Sequence, residues 1–274
     1  MGRFRPSRGP VPRTLVTLHA HPDDEALLTA GTMAKAAAAG HRVVCVFATR
    51  GEAGDSSPEL RARLATARPE EACAAAEILG VARTVFLDYP DSGEDASNQF
   101  GFAHVPVDDA AEKLAAVLRE EAADVLTGYD AAGGYRHPDH VQVHRVARRA
   151  AEIAGTPGYL EATVDRSLLM LGIETAVSLG HDVPTGITPE VVSTWYSAPN
   201  AITTTVDVSA FLDQKRAAMR AHASQALSSD GVVRTLSVLA ELPDELIAVG
   251  FSNEWYIRRT PALLTSDTDV FAGL

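Results

Sequence analysis

The chain has 274 residues, of which 46% are apolar, 22% are charged and 6% are aromatic. Such a composition is typical of a folded globular protein and excludes a disordered or fibrous one. Acidic residues outnumber basic ones by 36 to 24, which leaves a formal charge of −12. This excess of negative charge argues against nucleic acid and against an anionic membrane surface as partners.

The chain begins with arginines set between prolines and glycines, which predicts a flexible basic leader over residues 1–13. This leader lacks the apolar stretch of a secretory signal, and no segment approaches the ~18 consecutive apolar residues of a membrane span. We therefore expect a cytoplasmic protein. Cys45 and Cys73 lie far apart, on a predicted buried strand and a predicted buried helix face. We expect both to be reduced core residues, without a disulfide.

Short β-branched runs alternate with alanine-rich stretches over the first two-thirds of the chain. Gly40 and Gly80 stand where a left-handed residue would end two of the helices. This alternation indicates an α/β fold, a Rossmann-like and mostly parallel sheet flanked by helices. The runs predict strands at residues 14–18, 43–47, 84–87 and 125–127. Apolar residues three and four apart predict helices around residues 27–38, 72–79, 111–118 and 143–150.

We interpret residues 14–274 as a single domain. Residues 14–155 form the α/β core with the functional site. Residues 156–274 are predicted to be an irregular C-terminal extension that completes the core and the substrate pocket. Within it, a helix is expected over residues 208–223 and a strand over residues 248–258.

Two polar, glycine-containing segments, 51–58 and 91–102, follow predicted strands and are candidate active-site loops. One short motif also occurs twice at strand ends. His-Pro-Asp-Asp at residues 21–24 follows the first strand, and His-Pro-Asp-His at residues 137–140 follows the fourth. Ligands of parallel sheets bind at the carboxyl ends of the strands, so we expect the two motifs to meet there. Each proline is expected at the first position of a helix.

The two motifs concentrate imidazole and carboxylate groups, and buried charge is costly unless it is paired or bound to metal. They therefore predict a site for a divalent metal. Imidazole and carboxylate without thiolate favour Zn²⁺ or Fe²⁺ over Mg²⁺ or Ca²⁺, and three protein ligands leave an open position for catalysis. The six candidate side chains are His21, Asp23, Asp24, His137, Asp139 and His140.

Six groups compete for three or four ligand positions. Because the first and fourth positions of the motif are expected to point the same way, we nominate as ligands His21, Asp24 and His140. Asp23 would then lie beside a metal-bound water and accept its proton during attack. His137 is left as a nearby cation or general acid, oriented by Asp139.

The segment Ala-His-Pro-Asp-Asp-Glu at residues 20–25 and the glycine-rich segment at residues 128–140 resemble the PIG-L/LmbE family of zinc-dependent N-acetylglucosamine deacetylases. The resemblance is strongest to the bacterial branch that includes the mycothiol-pathway deacetylase and mycothiol S-conjugate amidase. It extends more weakly through Arg68 with Glu71, through residues 91–93 and through residues 215–225, and so covers most of the chain.

The resemblance implies a hydrolase that removes the N-acetyl group from an N-acetylglucosamine-type glycoconjugate and releases acetate and a free amine. It implies zinc on the three nominated ligands, Asp23 as general base, and His137 as the group that stabilises or protonates the tetrahedral intermediate. It adds Tyr135, whose hydroxyl would help hold the substrate carbonyl. It also adds Arg68 and Asp91 as residues that would contact the sugar.

Some of these residues keep a second interpretation. Tyr135 could instead be a packing anchor in its glycine-rich loop. Arg68 precedes Pro69 at a predicted helix start and could instead form an ion pair with Glu52 or Glu71.

Rival functions are an amidase acting on a mycothiol-type S-conjugate, a deacetylase of a glycosylated natural-product intermediate, and a non-catalytic metal-binding module. A nucleotide-dependent transferase or oxidoreductase is disfavoured, because no glycine-rich phosphate loop follows the first strand. The sequence leaves open zinc against iron, the aglycone, and whether the chain forms a homo-oligomer. It also leaves open whether Asp130 orients a histidine or caps its loop, and whether His222 is a ligand or structural.

Overall fold

Seven strands of the described chain form one sheet, in the order β3-β2-β1-β4-β5-β7-β6. The computed structural model describes residues 11–54, 56–178, 187–227 and 234–274. The strands are β1 (Thr14–His19), β2 (Arg42–Thr49), β3 (Arg83–Tyr89), β4 (Val125–Tyr129), β5 (Gly158–Thr163), β6 (Thr204–Asp207) and β7 (Asn253–Thr260). The helices are α1 (Asp24–Leu28), α2 (Ala30–Ala38), α3 (Pro58–Ile78), α4 (Val107–Glu120), α5 (Pro138–Ala154), α6 (Arg166–Ser178), α7 (Pro189–Val192), α8 (Leu212–Ala221), α9 (Ala223–Ala226), α10 (Thr235–Ala240) and α11 (Asp244–Phe251).

Strand β1 lies at the centre of the parallel part of the sheet. It pairs in parallel with β2 on one side and with β4 on the other. The chain therefore leaves β1 in one direction and later returns to its opposite edge. This arrangement is the topological switch point at which doubly wound sheets open a crevice beyond the carboxyl ends of their strands.

The inner parallel strands β1, β2 and β4 are almost completely buried, which is why their sequences are largely apolar. Leu15, Val16 and Leu18 of β1 are completely buried, as are Val43 through Ala48 of β2. Helix α4 contributes one apolar stripe to the same core, with Leu114 and Leu118 buried. Spacing of three and four residues on that helix predicted this stripe.

The structure confirms the fold class and the four predicted strands, which are one to three residues longer than predicted. Gly40 and Gly80 follow α2 and α3 with φ of 84° and 71°, in the left-handed conformation that was predicted. The C-terminal part is more regular than expected, because it supplies β5, β6 and β7 to the same sheet. Strand β7 runs antiparallel to both of its neighbours.

Several local predictions were wrong. The expected strand at 248–258 begins only at Asn253, after α11, and the expected helix at 208–223 breaks at His222 between α8 and α9. Pro69 does not start a helix but lies inside the 21-residue α3. Cys45 is buried as predicted, whereas Cys73 is exposed, and both are free thiols.

None of the helices in the described ranges combines the length and the apolar character needed to cross a membrane. Residues 1–10 of the predicted leader lie outside the described residues.

Candidate metal centre and active site

The two echoed motifs meet beyond the carboxyl ends of β1 and β4. The ring of His21 lies 5.4 Å from that of His140 and 4.7 Å from that of His137, measured between centroids. One nitrogen from each of these three buried rings lies within 4.8 Å of the others. This is the convergence that the sequence predicted, and it is close enough for the rings to share one ion.

Asp24 lies between two of these rings. Its Oδ2 is 3.5 Å from Nδ1 of His21, and its Oδ1 is 3.3 Å from Nε2 of His140. Nε2 of His140 is buried and has no hydrogen-bond partner in the part of the chain that the structure describes. A buried polar atom is rarely left without a partner, so this nitrogen indicates a missing ligand. Two imidazole nitrogens facing one carboxylate fit a Zn²⁺ or Fe²⁺ ion.

Asp139 sets the orientation of His21. Its Oδ2 is 3.2 Å from Nε2 of His21, and its carboxylate also accepts hydrogen bonds from the backbone N–H and the hydroxyl of Ser92. If a metal binds Nδ1 of His21, the remaining proton of the ring lies on Nε2, where the Asp139 carboxylate accepts it. Asp139 holds His137 through its backbone N–H and not through its carboxylate, which contacts His21.

His137 is the N-cap of α5. Its Nδ1 accepts a hydrogen bond of 3.1 Å from the backbone N–H of Asp139, so a neutral ring carries its proton on Nε2. Burial, together with the neighbouring rings of His21 and His140, lowers the pKa of His137 to about 4. At neutral pH this histidine is therefore uncharged and can donate a hydrogen bond from Nε2. Of the two expected roles, cation or general acid, the lowered pKa argues against the cation.

Asp23 precedes α1 in a backbone conformation that side chains rarely adopt, with φ of 110°. Helix α1 therefore begins at Asp24, and the expectation of Pro22 at its first position was wrong; Pro138 does occupy that position in α5. The Asp23 carboxylate lies 3.0 Å from Nη2 of Arg68. Burial raises the pKa of Asp23 above its ordinary value even though the Arg68 charge opposes this. Such a shift suits a group that must accept a proton near neutral pH.

Arg68 is buried, with 3% of its surface exposed. Besides Asp23, it donates to the carbonyl oxygens of Gly51, at 2.8 Å, and Pro22. The two glutamates considered as ion-pair partners of Arg68 have other contacts: Glu52 accepts the N–H of Asp91, and Glu71 of α3 binds Ser224. The guanidinium thus binds the Asp23 carboxylate and the backbone of the first motif. A contact between Arg68 and a sugar stays a prediction.

Asp91 borders a cavity of about 400 Å³ beside the cluster. Its Oδ1 lies 3.6 Å from Nε2 of His21, and its carboxylate accepts N–H groups of Ala53 and Gly93. Burial opposes ionisation of Asp91, but the charge of His21 outweighs it and holds the pKa below the usual range. Residues of both predicted loops, 51–58 and 91–102, line this cavity: Glu52, Ala53, Asp91, Ser92, Gly93, Ser97 and Asn98, with Arg61 of α3.

Tyr135 covers the other side of the cluster, 41% exposed. Its ring lies 4.9 Å from that of His140 and 6.3 Å from that of Trp195. Trp195 was missed by the sequence analysis, because it belongs to an irregular segment and carries no motif. Two aromatic rings at the mouth of the site offer an apolar wall to a substrate.

Asp130 holds the loop that carries Tyr135. Its carboxylate accepts hydrogen bonds from the N–H of Gly134 and from the hydroxyls of Thr163 and Ser197, at 2.6 to 3.1 Å. Asp130 therefore caps the loop, which decides between its two interpretations. Gly133 in this loop has φ of 64°, and a Cβ there would lie 2.5 Å from the N of Val141, so only glycine fits.

The fold and this site define an α/β protein with a histidine and carboxylate cluster, fit for a metal ion, at the switch point of its sheet. A family model described as GlcNAc-PI de-N-acetylase, PIG-L, matches residues 16–151. Inositol 2-acetamido-2-deoxyglucopyranoside deacetylases of Streptomyces griseus and Acidothermus cellulolyticus are 36% and 37% identical to the chain. Both alignments cover 96% of this chain, and 89% and 95% of the respective relative. The chain belongs to the PIG-L family.

A solved structure supports the fold independently. An N,N'-diacetylchitobiose deacetylase from Pyrococcus horikoshii is similar with a TM-score of 0.59 and 23% sequence identity. The similarity covers 91% of this chain and 87% of that one.

Proposed function

We propose that this protein is a metal-dependent N-deacetylase that removes acetate from an N-acetylglucosaminyl-inositol. The observation that carries the proposal is the buried Nε2 of His140, which has no described hydrogen-bond partner and faces Asp24. The names of the two bacterial relatives supply the substrate class. The proposed ligands are His21, Asp24 and His140, and the proposed metal is Zn²⁺, with Fe²⁺ as the alternative.

A bound divalent ion would lower the pKa of a coordinated water and polarise the acetamide carbonyl. The residues around it then have separate tasks. Asp23, with its raised pKa, accepts the proton of the attacking water. His137 donates its Nε2–H to the carbonyl oxygen as negative charge develops there, and Tyr135 is placed to donate a second hydrogen bond. The proton accepted from water is returned to the departing nitrogen, which leaves as the free amine.

The glycan would lie between the aromatic wall of Tyr135 and the cavity bordered by Asp91. Arg68 and Asp91 are the sugar-contacting residues of the proposal. Asp91 has the more direct position, because it borders the cavity whereas Arg68 points its guanidinium at backbone carbonyls. A cytoplasmic location and a homo-oligomer stay predictions.

The test is release of acetate from N-acetylglucosaminyl-inositol by protein that has been stripped with a chelator and reloaded with Zn²⁺ or Fe²⁺. We expect no turnover in the stripped protein and recovery with one of the two ions. A mycothiol S-conjugate serves as the second substrate, since hydrolysis of its amide, which lies elsewhere in the molecule, releases no free acetate. Metal binding without acetate release from this or any other N-acetylglucosaminide would refute the proposal.

A further inference from the structure

The backbone of Asp23 adopts a conformation that is rare for a residue with a side chain. A φ of 110° is unfavourable for any residue with a side chain, and it persists only where surrounding contacts hold it. The side chain of Asp23 makes no capping hydrogen bond to α1, so the cap itself does not explain the conformation. In this conformation the carboxylate lies 3.0 Å from Nη2 of Arg68.

The contact that holds this backbone comes from Glu25. Its Oε2 accepts the N–H of Asp23 at 2.9 Å, and the Glu25 side chain is 2% exposed. Its other oxygen, Oε1, lies 2.5 Å from Nε2 of His222, a completely buried residue 197 positions away in the chain. One carboxylate therefore links the Asp23 backbone to the C-terminal part of the protein.

His222 lies where the path of the chain changes, at the break between α8 and α9. Its carbonyl accepts the N–H groups of Gln225 and Ala226, which fixes the backbone that follows the ring. Because the ring is completely buried and its Nε2 is engaged with Glu25, His222 does not touch a substrate. It can act on the reaction only from within the protein, through its hydrogen bond to Glu25 and, when protonated, through its charge, which lowers the pKa of Asp23.

We propose that Glu25 and His222 are a positioning pair that holds Asp23 in its left-handed conformation and thereby aims the general-base carboxylate. The proposal rests on the proposed function, in which Asp23 accepts the proton of water. Without His222, the Glu25 carboxylate loses the hydrogen bond at Oε1 and becomes free to rotate. The Asp23 N–H then loses its directed acceptor, and the base loses the geometry that proton transfer needs.

The test compares His222→Leu with His222→Gln, whose amide nitrogen can replace Nε2 of the imidazole. We expect His222→Leu to lower kcat for acetate release about 10²-fold, as small misplacements of a catalytic group do. KM should change by less than about twofold, because substrate binding is untouched. Metal content should be that of the wild type, and His222→Gln should recover most of the loss in kcat.

Ser224→Ala is the matched control. Ser224 lies two residues away and binds Glu71 rather than Glu25, so its loss disturbs the same segment without touching the pair. We expect this variant to keep the wild-type kcat. Equal kcat losses in Ser224→Ala and His222→Leu would overturn the proposal, as would a loss of metal that parallels the loss of kcat in His222→Leu.

A crystal structure of His222→Leu separates this proposal from the proposed function. Asp23 should leave the left-handed region in the variant whether or not the wild-type protein releases acetate from the chosen substrate. If Asp23 keeps its φ near 110°, the proposal is wrong. Should His222→Leu fail to fold, Glu25→Gln takes its place, since it keeps the shape of Glu25 but weakens the bond to His222. An unchanged kcat in that variant would equally overturn the proposal.

Discussion

Asp23 and its neighbour Asp24 are predicted to fail in different ways when each is changed to asparagine. Asp23→Asn keeps the size of the side chain and an oxygen that can still accept from Arg68, but it can no longer take up a proton. Loss of general-base assistance lowers the rate about 10²- to 10⁴-fold, or about 3 to 5 kcal/mol of transition-state stabilisation. The Asp23 side chain is 21% exposed, and Arg68 keeps two carbonyl acceptors. We therefore expect a stability loss of only about 1 kcal/mol.

Asp24→Asn is the matched control, because it makes the same chemical change one residue further along. Its oxygens lie 3.3 and 3.5 Å from nitrogens of His140 and His21, so the variant removes the charge of the proposed ligand between two imidazoles. Metal affinity should fall by at least about 10²-fold. The assay is metal stoichiometry by mass spectrometry, measured alongside kcat for acetate release. Equal metal loss in the two variants would refute the division of roles between base and ligand.

Two further predictions concern buried charge. Lys215→Met removes the buried amine that lies 2.5 Å from Oε1 of Glu254 and 2.8 Å from the carbonyl of Leu27. Urea unfolding should show that the free energy of unfolding falls by about 3 to 5 kcal/mol, because the Glu254 charge stays buried without its partner. Adding Glu254→Gln should recover part of this loss. If Lys215→Met alone is as stable as the wild type, the prediction is wrong. His19 is completely buried, and desolvation lowers its pKa to about 4. Below pH 6.5 the His19 imidazole binds a proton in the unfolded chain but not in the folded protein. The contribution of His19 should therefore lower the free energy of unfolding by up to about 3 kcal/mol between pH 6.5 and pH 4. An imidazole NMR titration of His19 with a midpoint near 6.5 would show this prediction to be wrong.

The sequence predicted the parts of this protein that depend on residues close together in the chain. The apolar runs of β1 and β2, the stripe of α4 and the left-handed glycines after α2 and α3 follow from local periodicity and backbone sterics. The meeting of His21 with His140 was also predictable, although 119 positions separate them, because the carboxyl ends of parallel strands share one edge of the sheet.

Contacts that depend on packing between distant elements could not be predicted in this way. The Asp139 carboxylate contacts His21 and not His137, which is nearer in the chain, because hydrogen bonds from Ser92 fix the rotamer of Asp139. The pairing of Glu25 with His222 requires α8 and α9 to pack beside α1, and nothing in either local sequence specifies that packing.

The sequence by itself therefore determined that the two His-Pro-Asp motifs gather at the end of the sheet, since the strands before them and the helix that begins at Pro138 follow from local preferences. Only the tertiary structure decided which atom of each residue faces which neighbour. The physical reason is that hydrogen bonds and ion pairs vary over tenths of an ångström, whereas hydrophobic periodicity locates a side chain only to a face of its element.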